Sequence, residues 1–141
     1  MAAGALRDSL GPDAPRVDVS SAGTAAWDGQ PATEASLEVA GRDGVDLASH
    51  RSRRVTPALL RAADLVLVME RSHLHAVQAL GADPRRTHVL SEWPDPGEPQ
   101  LPISDPFGAS IEAYEECWSR IRHHVRRVAP VVQEALRTRS V

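Results

Sequence analysis

Leu65-Val66-Leu67-Val68-Met69 is the stretch that decides the fold, because its apolar residues follow one another without polar alternation. A strand buried on both faces has this pattern, and such strands are typical of parallel sheets covered by helices. Helical patterns flank the run at 57–63, after a Thr56-Pro57 start, and at 71–80. The order helix, buried strand, helix predicts an α/β fold.

The rest of the chain continues this alternation of helices and short strands. Val17–Ser21 predicts an earlier strand and Thr87–Leu90 a later one. Further helices are predicted at 2–10, 31–41 and 110–128. The proline-rich stretch 93–109 predicts an irregular loop, and Pro130 is expected to bend or end the last helix. We expect a three-layer α/β/α fold with a short parallel sheet, in a single domain over 1–141.

The first predicted helix begins at the start of the sequence, where Met1 offers no capping side chain. A right-handed crossover links two strands, so a leading helix predicts a strand before it. We therefore expect the first strand of the sheet to be missing, which leaves the domain incomplete at its N-terminus.

Composition narrows the possible partners and compartments. The formal net charge is −3 and the pI is near 6.0, which gives no electrostatic case for binding nucleic acid or an anionic membrane. No apolar run approaches the ~20 residues of a membrane span. The single cysteine, Cys117, cannot form an internal disulfide. These features predict a cytoplasmic protein.

Asp105-Pro106 is the stretch of the loop that could carry chemistry. Proline disfavours the helical conformation of the preceding residue, so Asp105 is predicted to be held extended. A positioned carboxylic acid can protonate a departing oxygen such as a phenolate. Asp83-Pro84 and Asp95-Pro96 are interpreted only as turns. From the residues alone, a plain turn remains the alternative for Asp105.

Several short motifs occur in an order that resembles one family, the low-molecular-weight protein tyrosine phosphatases. They cover roughly 1–128 and are Ser20-Ser21-Ala22-Gly23-Thr24, Trp27, Gly29-Gln30-Pro31-Ala32, His50-Arg51-Ser52-Arg53, Thr56-Pro57, Ala63 to Glu70 and Asp105-Pro106-Phe107-Gly108. The resemblance implies a phosphotyrosine phosphatase I-like fold that acts on phosphotyrosine proteins or small phosphomonoesters. No cofactor is expected.

The resemblance also implies roles for individual residues. Asp105 would be the general acid and base of a two-step reaction through a cysteinyl-phosphate. Trp27 and Phe107 would contact the ring of the substrate. His50 would lie near the hydrogen bonds that support the phosphate-binding loop.

The catalytic loop of the family, C-x5-R-[ST]-P, does not occur in these residues. In the family the strand before this loop lies at the centre of the sheet, so the resemblance implies that the first and central strand is missing. Met1-Ala2-Ala3 resembles the residues that follow that loop, and six residues after Cys117 stands His123 rather than arginine. Cys117 is therefore predicted to be a buried structural residue. We expect the chain as given to be inactive. The alternatives are a non-catalytic pseudophosphatase that binds partners and an arsenate-reductase relative, against which the lone cysteine counts.

The histidines give no pattern typical of a metal site. His73 and His75 are two residues apart on a predicted helix and do not share a face. His123 and His124 stand among arginines and are predicted to lie on a solvated helix face. No metal is expected.

Overall fold

The structure is a computed structural model that describes residues 1–139. It contains five α-helices and two strands over these residues. In chain order they are α1 (Ala2–Leu10), α2 (Glu34–Arg42), α3 (Pro57–Ala62), β1 (Val66–Val68), α4 (Arg71–Ala79), β2 (Thr87–Val89) and α5 (Ile111–Arg139). Short 3₁₀ turns cover Gly11–Arg16, Pro84–Arg86 and Leu90–Glu92. None of the described helices is long and apolar enough to cross a membrane.

The chain divides into two compact units. The first unit contains 1–21, 31–50 and 105–141, and the second contains 22–30 and 51–104. The first unit carries α1, α2 and α5, whereas the second carries both strands with α3 and α4.

The second unit is built around the predicted apolar strand. β1 and β2 are parallel, with Val66 opposite Thr87 and Val68 opposite Val89. Buried apolar side chains from the strands and the adjoining helices form its core, namely Leu60, Val68, Val77, Ala82 and Val89. Thr56 caps α3 as predicted, because its hydroxyl oxygen accepts a hydrogen bond from the Leu59 N–H at 3.2 Å. The predicted α/β class with a short parallel sheet is confirmed.

The first unit is helical, and α5 is its longest element. The buried side of α5 carries side chains at helical spacing, among them Tyr114, Cys117, Trp118, Ile121, Val125 and Val128. The Trp118 indole N–H donates to the Asp43 carboxylate at 2.7 Å, and Arg122 pairs with Asp8 of α1 at 2.9 Å. Helix α1 packs closely against Leu47 at Gly4, because a Cβ atom added to Gly4 would lie 2.6 Å from the Leu47 Cδ2 atom.

Some sequence predictions for the first unit are wrong. Val17–Ser21 is not assigned to a strand, although the Val17 backbone is extended at φ −124° and ψ 126°. A strand requires a ladder partner, and none of the described strands pairs with this segment. Instead, the Arg7 guanidinium donates to the Val19 carbonyl.

Two predicted helix boundaries also differ from the structure. α2 begins at Glu34 rather than near 31, because the Thr33 hydroxyl oxygen accepts from the Ser36 N–H at 3.2 Å and caps the helix there. α5 continues through Pro130 to Arg139 instead of ending near 128. Pro130 is exposed while Val128 and Ala129 are buried, so its ring lies away from the packed side of the helix.

His124 also differs from the prediction, because it is buried in the first unit and does not lie on a solvated helix face. Its side chain is buried and only 3% exposed. Burial, followed by the positive charges of His123, Arg127 and Arg120, lowers the pKa of His124 to about 4. The ring is therefore neutral at pH 7, and its Nδ1 accepts a hydrogen bond from the Arg127 Nη1 at 2.9 Å.

Candidate active site

Asp105 and Phe107 lie together on one tight turn of the first unit. The Asp105 Oδ1 atom accepts a hydrogen bond from the Phe107 N–H at 2.9 Å, and the Ala109 N–H donates to the Pro106 carbonyl at 2.8 Å. Gly108 adopts φ +77°, a conformation that glycine reaches without steric cost. The turn thus holds a carboxylate and, two residues later, a benzyl ring that is 77% exposed.

The carboxylate of Asp105 is exposed, and within 1–139 it makes no ion pair. It does act electrostatically on the thiol of Cys117, which is buried in α5. Burial is the main cause that raises the pKa of Cys117, the Met1 ammonium lowers it, and the negative charge of Asp105 raises it. The acid and the start of α1 therefore both lie within electrostatic range of one buried thiol.

Cys117 is buried, as predicted, and its raised pKa disfavours the thiolate that a nucleophile requires. His50 lies in the same unit and is half-buried. Its backbone N–H donates to the Leu47 carbonyl at 3.1 Å. Within the described residues, no group of three or more His, Cys, Asp and Glu side chains could hold a metal ion.

Trp27 belongs to the second unit and stands on a turn, residues 27–30, that we call the Trp27 turn. Its indole is 82% exposed. Ser52 bonds to both ends of the turn: its hydroxyl donates to the Trp27 carbonyl and accepts from the Gln30 N–H at 3.0 Å. The Ser52 N–H donates to the Gln30 carbonyl at 2.8 Å, and the Gly29 N–H donates to the Ser52 carbonyl at 2.7 Å.

A second contact fastens the same turn to the segment 51–54. The Asp28 Oδ1 atom accepts a hydrogen bond from the Arg54 N–H at 2.8 Å. Sequence reasoning missed Ser52 and Asp28 as parts of the site. Asp28-Gly29 is a recognisable turn signal, but its partners lie more than twenty residues later and leave no local signature.

Comparison with known proteins identifies the family of this chain. The sequence profile described as low molecular weight phosphotyrosine protein phosphatase matches residues 2–139. This chain belongs to that family. The family assignment predicted from the order of the motifs is confirmed.

Individual members of the family are similar to this chain over most of its length. A probable low molecular weight protein-tyrosine-phosphatase EpsP of Ralstonia nicotianae is 34% identical and covers 94% of this chain and 86% of its own. The structure of Vibrio vulnificus Wzb in complex with benzylphosphonate is 33% identical with a TM-score of 0.78, over 92% of this chain and 88% of that one. The YwlE arginine phosphatase of Geobacillus stearothermophilus is 28% identical with a TM-score of 0.82, over 95% and 84%.

Proposed function

We propose that this low molecular weight phosphatase domain supplies the general acid and the aromatic substrate contacts for the hydrolysis of phosphotyrosine or small aryl phosphates. The observation that carries the proposal is the Asp105 turn within a chain that matches the family over 2–139. Asp105 is exposed and without an ion pair within 1–139, and its negative charge acts on Cys117 of α5, as the Met1 ammonium also does. These properties suit a carboxyl group that must exchange a proton with a substrate.

The proposed reaction has two steps. A cysteine thiolate of the family loop attacks the phosphorus and forms an S–P bond, while Asp105 gives its proton to the departing phenolate oxygen. Water then attacks the phosphorus, Asp105 accepts the water proton, and the S–P bond breaks to release inorganic phosphate. Proton donation matters because tyrosine has a pKa near 10, so its phenolate is a poor leaving group.

The nucleophile is not among these 141 residues. Cys117 is the only cysteine, position 123 is histidine instead of arginine, and the thiol is buried with a raised pKa. We therefore propose that the 141 residues alone do not turn over substrate and that a loop with the C-x5-R-[ST]-P pattern completes the site. Trp27 and Phe107 are each proposed to contact the substrate ring, since both are large exposed aromatics. His50 is proposed to support the loop.

Three other functions are weaker candidates. A pseudophosphatase would bind phosphotyrosine without hydrolysis, but the ionised Asp105 would repel a phosphate unless the loop supplied compensating donors. An arsenate reductase needs several redox-active cysteines, and this sequence has one. Phosphoarginine is a substrate to consider because the similar YwlE protein of Geobacillus stearothermophilus is an arginine phosphatase. A guanidinium is planar and can also stack on aromatic rings, so it needs its own assay.

The decisive experiment completes the site. A strand and C-x5-R-[ST]-P loop from a relative would be fused before Met1, and the fusion is called the loop-completed chain. It is expected to hydrolyse p-nitrophenyl phosphate and a phosphotyrosine peptide, whereas the 141-residue chain is not. The matched control carries serine in place of the loop cysteine. Circular dichroism would verify folding of all three proteins.

Each result has a definite consequence. A folded loop-completed chain without phosphatase activity would contradict the proposed function. Activity of the 141-residue chain that disappears in Asp105→Asn would contradict the account of the nucleophile. Faster hydrolysis of a phosphoarginine peptide than of the phosphotyrosine peptide would replace the proposed substrate class with phosphoarginine.

A further inference from the structure

Five hydrogen bonds attach the Trp27 turn to the segment 51–54. We propose that Ser52 is a positioning residue that orients the Trp27 ring and thereby sets the preference of the enzyme for aryl over alkyl phosphates. This inference rests on the proposed function for its consequence in catalysis. The orientation of Trp27 can be tested without any activity.

Packing alone supports the Trp27 ring poorly. The indole is 82% exposed, so few neighbours limit its motion. Exposed loops ordinarily move on the nanosecond scale and lose entropy when they are ordered. A ring that must meet a substrate in one orientation therefore depends on the backbone that carries it.

Ser52 provides that support because its hydroxyl acts at both ends of the turn. It donates to the Trp27 carbonyl and accepts from the Gln30 N–H, so one small side chain fixes the turn where it begins and where it ends. The backbone of Ser52 adds two hydrogen bonds, to Gly29 and to Gln30. Alanine would remove the two hydroxyl bonds and leave the two backbone bonds, whereas threonine would keep all four donors and acceptors.

Two further features reinforce the attachment. The Asp28 carboxylate accepts from the Arg54 N–H, which fixes the residue next to Trp27. Gly29 adopts φ +79° with open space around its Cβ position, so its backbone makes the turn without strain. The ring of Trp27 consequently projects from a backbone that is held on both sides.

The substrate class follows from the geometry of ring contacts. A fixed indole can stack on a flat aryl group but gains little from a flexible alkyl chain. A mobile indole loses part of this advantage, because it loses conformational entropy each time the substrate orders it. Ser52 thus acts on discrimination between leaving groups and not on the bond-breaking step.

The first test measures the order of the Trp27 ring in the 141-residue chain. ¹⁵N relaxation of the Trp27 backbone N–H is expected to give an order parameter of about 0.85 in the wild-type chain and below about 0.6 in Ser52→Ala, and the order parameter of the Trp27 indole N–H is expected to fall with it. Ser52→Thr should restore the wild-type value. Ser72→Ala is the matched control in the same unit, since within 1–139 the Ser72 hydroxyl hydrogen-bonds to the Glu70 carboxylate alone, at 3.5 Å. An unchanged order parameter in a folded Ser52→Ala chain would overturn the proposal.

The second test measures specificity in the loop-completed chain. The ratio of kcat/KM for phenyl phosphate to kcat/KM for an alkyl phosphate should fall about fivefold in Ser52→Ala and return in Ser52→Thr, consistent with the size of aromatic contacts. A ratio that stays constant while the indole becomes mobile would overturn the role in specificity. If the loop-completed wild type is inactive, the proposed function fails, and the relaxation result still decides whether Ser52 orients Trp27.

Discussion

Asp83 and Asp105 each precede a proline, and each accepts a hydrogen bond from the N–H two residues later at 2.9 Å. Their surroundings differ. Asp83 also pairs with the Arg85 guanidinium at 3.0 Å and with Arg86 at 3.5 Å, whereas Asp105 makes no ion pair within 1–139. The local sequence therefore makes the same turn at both aspartates, and the neighbouring charges distinguish the two carboxylates.

The contacts with arginine change the pKa of the Asp83 carboxyl group. Hydrogen bonds from the Arg85 side chain and backbone hold the pKa of Asp83 below its usual range. A carboxyl group held in this way remains ionised and cannot act as a general acid near neutral pH. Asp83 is thus a structural partner for arginines, while Asp105 is the carboxylate that we propose as the general acid.

Replacing Asp105 should have the largest effect. In the loop-completed chain, Asp105→Asn keeps an oxygen for the turn but removes the transferable proton, and kcat should fall by about 10²–10⁴. The rate would be measured with p-nitrophenyl phosphate and with phenyl phosphate. Phenyl phosphate should lose more, because its leaving group is more basic and depends more on protonation.

The matched control is Asp95→Asn. Asp95 also precedes a proline and accepts a hydrogen bond from the Gly97 N–H at 2.9 Å, so it shares the turn but not the proposed role. Its kcat should stay within about twofold of the wild-type value, as expected for a surface turn. Equal losses in the two variants would mean that the turn, and not the acid, matters.

His123 and His124 make a second comparison of identical residues in different surroundings. His123 is exposed, whereas His124 is buried with its pKa lowered to about 4. A lowered folded-state pKa means that the unfolded chain binds protons more readily. Stability is therefore fully present above pH 6.5 and is lost as the pH falls toward 4. The loss attributable to His124 should be about 1–3 kcal/mol.

Urea unfolding at pH 7.5 and pH 4.5 would measure this loss in the 141-residue chain. Other groups also titrate over this range, so the informative quantity is the difference between variants. His124→Leu should lose about 1–3 kcal/mol less than wild type on acidification. His123→Gln should lose slightly less than wild type does, because the charge of His123 is one of the causes that lower the pKa of His124. A His124→Leu chain with wild-type acid sensitivity would contradict the assigned pKa.

These comparisons explain how much of the molecule could be predicted from sequence. The apolar run was sufficient to predict β1, because a strand buried on both faces has an unbroken apolar pattern. Thr56 and Ser110 marked the starts of α3 and α5 because a cap is a contact over three residues, with Ser110 accepting from the Ala113 N–H at 3.3 Å. These elements depend on local chemistry and were predicted correctly, whereas the local cap of α2 at Thr33 was overlooked.

Features that depend on distant partners were not predicted correctly from the sequence. Val17–Ser21 alternates like a strand, but pairing is a property of another segment. Ser52 reaches a turn that precedes it by more than twenty residues. His124 had a local signal that was overlooked, since it follows Cys117 by seven residues and Ile121 by three, which places it on the buried stripe of α5.

The smallest effect is expected when Asp83 itself is changed. Asp83→Asn removes the ion pairs with Arg85 and Arg86 but keeps an oxygen that can accept the Arg85 N–H. Because the folded-state pKa of Asp83 is lowered, its contribution is present above the unfolded pKa and disappears as the pH falls through the folded value. The urea midpoint of Asp83→Asn should therefore lie slightly below that of wild type at pH 7, and this gap should narrow as the pH is lowered.

Asp95→Asn serves again as the reference, because Asp95 has no ion pair within 1–139 to lose. A gap between Asp83→Asn and wild type that does not narrow on acidification would show that the arginines do not distinguish the Asp83 turn from the Asp105 turn, and the electrostatic basis of the comparison would fail.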